Sequence, residues 1–301
     1  MSMTPSRPWR MIAPLAAVLA LFAIWSAYWL FAFTAARTYA DAERQRLARE
    51  GIVLACSGES WGGYPFRFEY NCGDPVIQIR DDMKAEAHTV TVIAQAYQPW
   101  HLVALIDGPT TLHPKNRTAI LLTHERGLAS LNLKTPDEPL FSVEFPKLTV
   151  NHVFRADDTL VSIRKRQAGV IDIAASAARI TLTLAGKPPL ELDQAAADTT
   201  LAPGDILTIN SASAQRGTLT VTGTGTLRLD AQNRVQGRID TQVSDTQALL
   251  DAASPYVNMT ASERSVLIAM LAAMGQKAAF SAMNGEIYWG PVKIGNAAPL
   301  F

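Results

Sequence analysis

The sequence predicts a mainly β protein with an N-terminal transmembrane helix: one large, curled antiparallel sheet plus two short helices near the C-terminus. Three observations predict it. Residues 11–33, MIAPLAAVLALFAIWSAYWLFAF, carry no charge and are long enough to cross a bilayer as a helix. From residue 88 onward Thr, Ala, Val, Ile and Leu dominate in alternating runs broken by Gly, Pro, Asn and Asp, the pattern of strands and turns. Two Ser/Thr-x-x-Gln/Glu boxes sit late in the chain, each ahead of an apolar run, and mark helix starts. The 301 residues hold 27 basic and 27 acidic side chains. A net charge of zero gives no electrostatic argument for nucleic acid.

Residues 1–10 form a cytoplasmic tail and residues 11–33 the membrane span. Trp25, Tyr28 and Trp29 gather in its C-terminal half, as amphipathic rings do near an interface. A cleaved signal peptide is the alternative, but its apolar core would run only about 7–15 residues. Arg7 and Arg10 precede the span and Arg37, Arg44, Arg46 and Arg49 follow it, so a bare Lys/Arg count puts the large C-terminal part inside. Residues 34–51 continue as a juxtamembrane helix with Gly51 as its stop, and Glu43 and Arg46 share one of its faces. Residues 52–301 form the β-rich domain.

That domain opens on CSGESWGGYPFRFEYNC, residues 56–72, which holds both cysteines of the chain. FRFEYNC alternates, and WGGYP supplies turn chemistry, so the stretch predicts a β-hairpin folded about Tyr64-Pro65. That register sets Cys56 opposite Cys72, Gly58 opposite Tyr70 and Ser60 opposite Phe68, within reach of a Cys56–Cys72 disulfide. Such a bond persists in an oxidising compartment. The domain is therefore expected outside the cytoplasm, against the charge count. Gly58-Glu59-Ser60-Trp61-Gly62 matches the G-x-S-x-G nucleophile pattern. That pattern needs a helix after the serine, and here a turn and a strand follow.

Arg46, Gly51, Cys56, Gly62, Gly63, Tyr64, Pro65, Phe66, Arg67, Phe68, Cys72, Asp74 and Pro75 together resemble an alphaproteobacterial envelope family catalogued as domain of unknown function 2125. The N-terminal third carries this resemblance, which weakens further on. It implies a single-pass inner-membrane protein with a periplasmic domain, and no activity or site residues.

Beyond residue 75, HTVTVIAQAY, HLVALIDGP, GLASLNLK, LFSVEFPKLTVNH, ARITLTLAG and GDILTINSASAQ predict strands, with a hairpin around residues 230–233. Ser244-Asp-Thr-Gln247 predicts a helix stopped by Ser254-Pro255, and Thr260-Ala-Ser-Glu263 a second one stopped by Gly275. Leu267, Met270, Leu271 and Met274 fall on one face of that second helix. They are core residues or the adaptable lining of a sheet-lined groove. Asn284-Gly285 predicts a turn between the last strands.

Histidines 88, 101, 113, 124 and 152 form no H-E-x-x-H or i, i+4 pair, and no EF-hand or P-loop occurs. Arg164-Lys165-Arg166 reads as a solvated face. The expectation is a non-enzyme without catalytic residues, metal or cofactor, anchored in a bacterial inner membrane with its domain in the periplasm. It would bind lipid or another apolar ligand in a sheet-lined groove. The alternative is an envelope interaction or scaffold module that docks a protein partner through the hairpin residues Trp61, Tyr64, Phe66, Arg67 and Phe68.

Overall fold

The computed structural model describes residues 9–135, 137–256, 260–273, 277–290, 292–297 and 299. The two helical stretches expected at the N-terminus are one uninterrupted helix, α1 (Trp9–Arg49), of 41 residues, about 60 Å long at 1.5 Å per residue. It holds the one described helix long and apolar enough to cross a membrane. Its solvent-type end is stitched by Arg46, which pairs with Glu43 and, at 2.7 Å, with Glu50. Those carboxylates, Glu43 first, hold the Arg46 guanidinium above its ordinary value. Gly51, at φ +85°, ends the helix as the sequence predicts.

The chain then becomes an antiparallel meander. Among the described residues, twenty strands form one sheet. The first are β1 (Ile52–Ala55), β2 (Gly58–Gly62), β3 (Arg67–Gly73), β4 (Val76–Ile79), β5 (Met83–Glu86), β6 (Thr89–Gln95), β7 (Gln98–Asp107), β8 (Thr110–Pro114), β9 (Ile120–Thr123), β10 (Gly127–Asn132) and β11 (Leu140–Val150). They combine in twos into long bent strands: β1 runs on into β2, β3 into β4, β5 into β6, β7 into β8 and β9 into β10. On one side of the bend the neighbours are β2-β3-β6-β7-β10, on the other β1-β4-β5-β8-β9, and both sets join β11. The crease passes through Cys56-Ser57, Asp74-Pro75, Ala87-His88, Gly108-Pro109 and residues 124–126. Prolines and short polar residues interrupt the ladder there. It crosses β11 at Lys147, whose φ is +48°.

From β11 the sheet continues through β12 (Phe154–Lys165), β13 (Ile171–Leu182), β14 (Leu190–Ala202), β15 (Ile206–Arg216), β16 (Leu219–Leu229) and β17 (Val235–Val243) to β18 (Lys277–Met283), β19 (Glu286–Trp289) and β20 (Val292–Asn296). Each pairs with the next. The sheet is not closed: β1, β2 and β20 are its edges. It curls enough for Arg117, in the β8–β9 turn, to line the same 590 Å³ cleft as Leu227, Ile239 and Phe280.

Helices α2 (Thr246–Ala253) and α3 (Ala261–Ala273) interrupt the meander between β17 and β18. The predicted cap at Ser244 is corrected: Asp245 is the N-cap, its carboxylate accepting from the Ala248 N–H at 3.0 Å. Ser244 instead accepts from the Thr220 N–H and donates to the Thr218 carbonyl, tying the strand end to its neighbour. Leu250 of α2 and Val243 at the end of β17 are fully buried.

Candidate functional site

The predicted hairpin exists, with its turn at Tyr64–Phe66, but its register differs from the one predicted. Glu59 faces Cys72, Ser60 faces Asn71 and Trp61 faces Tyr70, three residues away from a Cys56–Cys72 pairing. The ladder would place Cys56 against Pro75. The same register continues beyond it, with Ala55 against Val76, and Cys56 and Cys72 are joined at the crease with Cα atoms 5.4 Å apart. The disulfide thus clamps the bend between β1 and β2 and does not lie across a regular ladder. Ser60 sits mid-strand in β2, with no helix after it.

The hairpin packs on the chain's own helix. Trp29 is buried against Phe68, with ring centroids 5.8 Å apart, and meets Tyr64 edge-on at 5.2 Å. Phe33 meets the Trp61 edge at 6.3 Å, and Arg37 lies 5.9 Å from both rings. Indole and phenol groups of α1 satisfy the turn carbonyls. Trp25 Nε1 donates to the Pro65 carbonyl at 2.9 Å, Trp29 Nε1 to that of Arg67 at 3.1 Å, and the Tyr28 hydroxyl to that of Ala96, in the β6–β7 turn, at 2.9 Å. Farther along α1, Arg44 reaches Glu59 at 3.0 Å and the Tyr70 hydroxyl at 2.6 Å. Burial pushes the Tyr70 phenol up, with the Arg44 charge opposing. Phe66, at the turn, is 65 % exposed, and Arg67 pairs with Glu69 on the outer face.

Phe68 also begins a continuous cross-strand row that is apolar at every position but Thr199. Direct cross-strand partners run from it through Ala94, Leu102, Leu131, Phe141, Ile163, Ile173, Thr199, Ile209, Gly225, Ile239 and Phe280 to Trp289. Opposed residues on antiparallel strands share a face, so all thirteen lie on one side. At about 4.8 Å per strand the row is roughly 58 Å long. A second row beside it, Val143-Val161-Ala175-Ala197-Ala212-Gly223, is equally apolar and small. The opposite face carries Glu144, Ser176, Asp198 and Asp240, all exposed. The apolar face is not sealed: Phe141 and Ile163 keep 38 % and 36 % of their surface. Sequence alternation signalled a one-sided sheet, but only the register shows that its apolar positions align across thirteen strands.

The candidate lining residues Leu267, Met270, Leu271 and Met274 have side chains outside the described residues. Among the described residues, no cluster of three or more His, Cys, Asp or Glu could hold a metal ion. His124 lies in the crease, bonded to Thr110 at 3.0 Å and to the Glu125 carbonyl.

No curated protein and no solved structure matches the chain. A family match covers residues 29–167 and 153–298, extending well past the N-terminal third in which the resemblance was legible. On that coverage the chain belongs to the family described as "Uncharacterized protein conserved in bacteria (DUF2125)".

Proposed function

We propose that this protein is a non-enzymatic envelope protein, held in the bacterial inner membrane by α1 with its sheet domain in the periplasm, and that it binds lipid acyl chains along the apolar sheet face. The observation that carries this reading is the row from Phe68 to Trp289, buried at Phe68, Ala94, Ile209 and Trp289, half-buried between them and exposed at Phe141 and Ile163. Soluble proteins rarely leave a long contiguous apolar strip facing water, and such strips mark ligand or membrane sites. A curled sheet with an apolar concavity accommodates chains without needing polar recognition. The cleft between the β8–β9 turn and β16–β19 is within the usual size for a ligand site. The Cys56–Cys72 bond supports an oxidising compartment. The scaffold reading needs a free hairpin face, and α1 already covers Trp61 and Phe68 and meets the Tyr64 ring, which leaves Phe66, Arg67 and part of Tyr64 exposed.

Native mass spectrometry of the detergent-extracted protein, before and after delipidation, tests the reading. The expected result is retained lipid that is lost in Phe141→Glu and Ile163→Glu, the two exposed positions of the row, with the melting temperature of each variant measured alongside. An apo mass in the wild type, or equal lipid in both variants, would sink it.

A further inference from the structure

We infer that the tips of the β2–β3 and β6–β7 hairpins are immersed in the outer leaflet of the bilayer that α1 crosses, making the sheet domain a part of the membrane surface and not a body tethered above it. The inference rests on the membrane-anchor reading of α1 and goes beyond it.

The depth follows from counting. A hydrocarbon core of about 30 Å takes about 20 helical residues. Every 20-residue window inside the charge-free run 11–33 contains positions 25–30. Trp25, which holds the Pro65 carbonyl, then lies about 8–12 Å beneath the core's outer boundary at 1.5 Å per residue. The turn bonded to it must lie at the same depth.

The chemistry of the tips fits that depth. Non-helical backbone is tolerated in hydrocarbon only where its polar groups find protein partners. The carbonyls of Pro65, Arg67 and Ala96 receive Trp25, Trp29 and Tyr28. The Arg67 N–H bonds the Gly63 carbonyl and the Ala96 N–H bonds the Phe66 carbonyl. In water these groups would be hydrated and need no such caps. The tips expose aromatic rings, Tyr64 at 49 %, Phe66 at 65 % and Tyr97 at 59 %, flanked at the β6–β7 turn by the uncharged amides of Gln95 and Gln98. Residues 62–66 carry no charge. Charge returns one residue later with Arg67, whose exposed guanidinium is ion-paired and whose stem can reach the headgroups. Aromatic rings concentrate at such boundaries for the same reason. Because Phe68 starts the apolar row, the row would open at the leaflet.

Full-length protein carrying Phe66→Cys or Tyr97→Cys, with the native disulfide oxidised, is labelled with a nitrobenzoxadiazole probe and reconstituted in phosphatidylcholine vesicles. Asn116→Cys, an exposed site in the β8–β9 turn at the other end of the strands, is the control. The expected result is strong quenching at 66 and 97 by doxyl-labelled lipid and little by aqueous iodide, with the reverse at 116. Protein retained through alkaline carbonate but with iodide-accessible probes at 66 and 97 would overturn the immersion alone. Release by carbonate would overturn the anchor reading and the immersion with it.

Discussion

Replacing both cysteines, Cys56→Ala with Cys72→Ala, should cost about 3 kcal/mol. The bond closes a loop of sequence separation 16, and for that loop the chain-entropy relation gives about 10 cal/mol/K, or about 3 kcal/mol at room temperature. In a domain of this size, that loss lowers the melting temperature by roughly 6–12 °C. The assay is thermal unfolding of full-length protein in one fixed detergent, for wild type, wild type with reductant, and the double variant. The last two should coincide. Hydrogen exchange should show where the loss is felt: at the Ser57 N–H bonded to the Gly73 carbonyl, and in the short β1–β4 ladder beyond it. The β2–β3 register should stay put, because the disulfide clamps the crease and does not define the ladder. A melting shift under about 2 °C, or a shifted β2–β3 register, would refute the reasoning.

Three further outcomes are expected. Trp29→Phe keeps the packing on Phe68 but removes the indole donor to the Arg67 carbonyl, worth about 1 kcal/mol; exchange at the hairpin turn should rise about fivefold, and unchanged exchange would show that the bond holds nothing. Gly225→Ala places a Cβ 2.2 Å from the Arg238 carbonyl oxygen in the neighbouring strand; backbone must move, and a loss of about 1–3 kcal/mol should appear as a lower melting temperature. The Arg234 N–H, helped by that of Gln232 and the Arg234 side chain, holds the Asp230 carboxyl below its ordinary value. A depressed carboxylate contributes stability above its unfolded value, and loses it as pH falls through the folded one. The melting difference between wild type and Asp230→Asn should therefore be constant from pH 7 to about 5 and shrink below about pH 4; a difference that grows on acidification would contradict the assignment.

The sequence by itself determined the elements whose signal is local. A charge-free run of 23 residues and a glycine stop specify α1, and Asn284-Gly285 specifies the last hairpin turn, because composition and backbone freedom act within a few residues. Strands β12 and β14 were not legible. LELDQAAADTTLA has poor strand formers at its centre, and it is extended because β13 and β15 pair with it on both sides. The choice of Asp245 over Ser244 as the cap was equally non-local, since Thr218 and Thr220 claim the serine. The hairpin register failed for a related reason. The count took the cysteines as a directly opposed pair, but one register runs from Ile52–Ile79 through the crease to Gly62–Glu69, and the disulfide joins residues that are not opposed in it. Only the tertiary structure decided that α1 lies against Phe68 and Trp61, and that apolar positions from thirteen strands fall into one row. Periodicity tells which side of a strand avoids water; the partner that side meets is fixed by pairing across hundreds of residues.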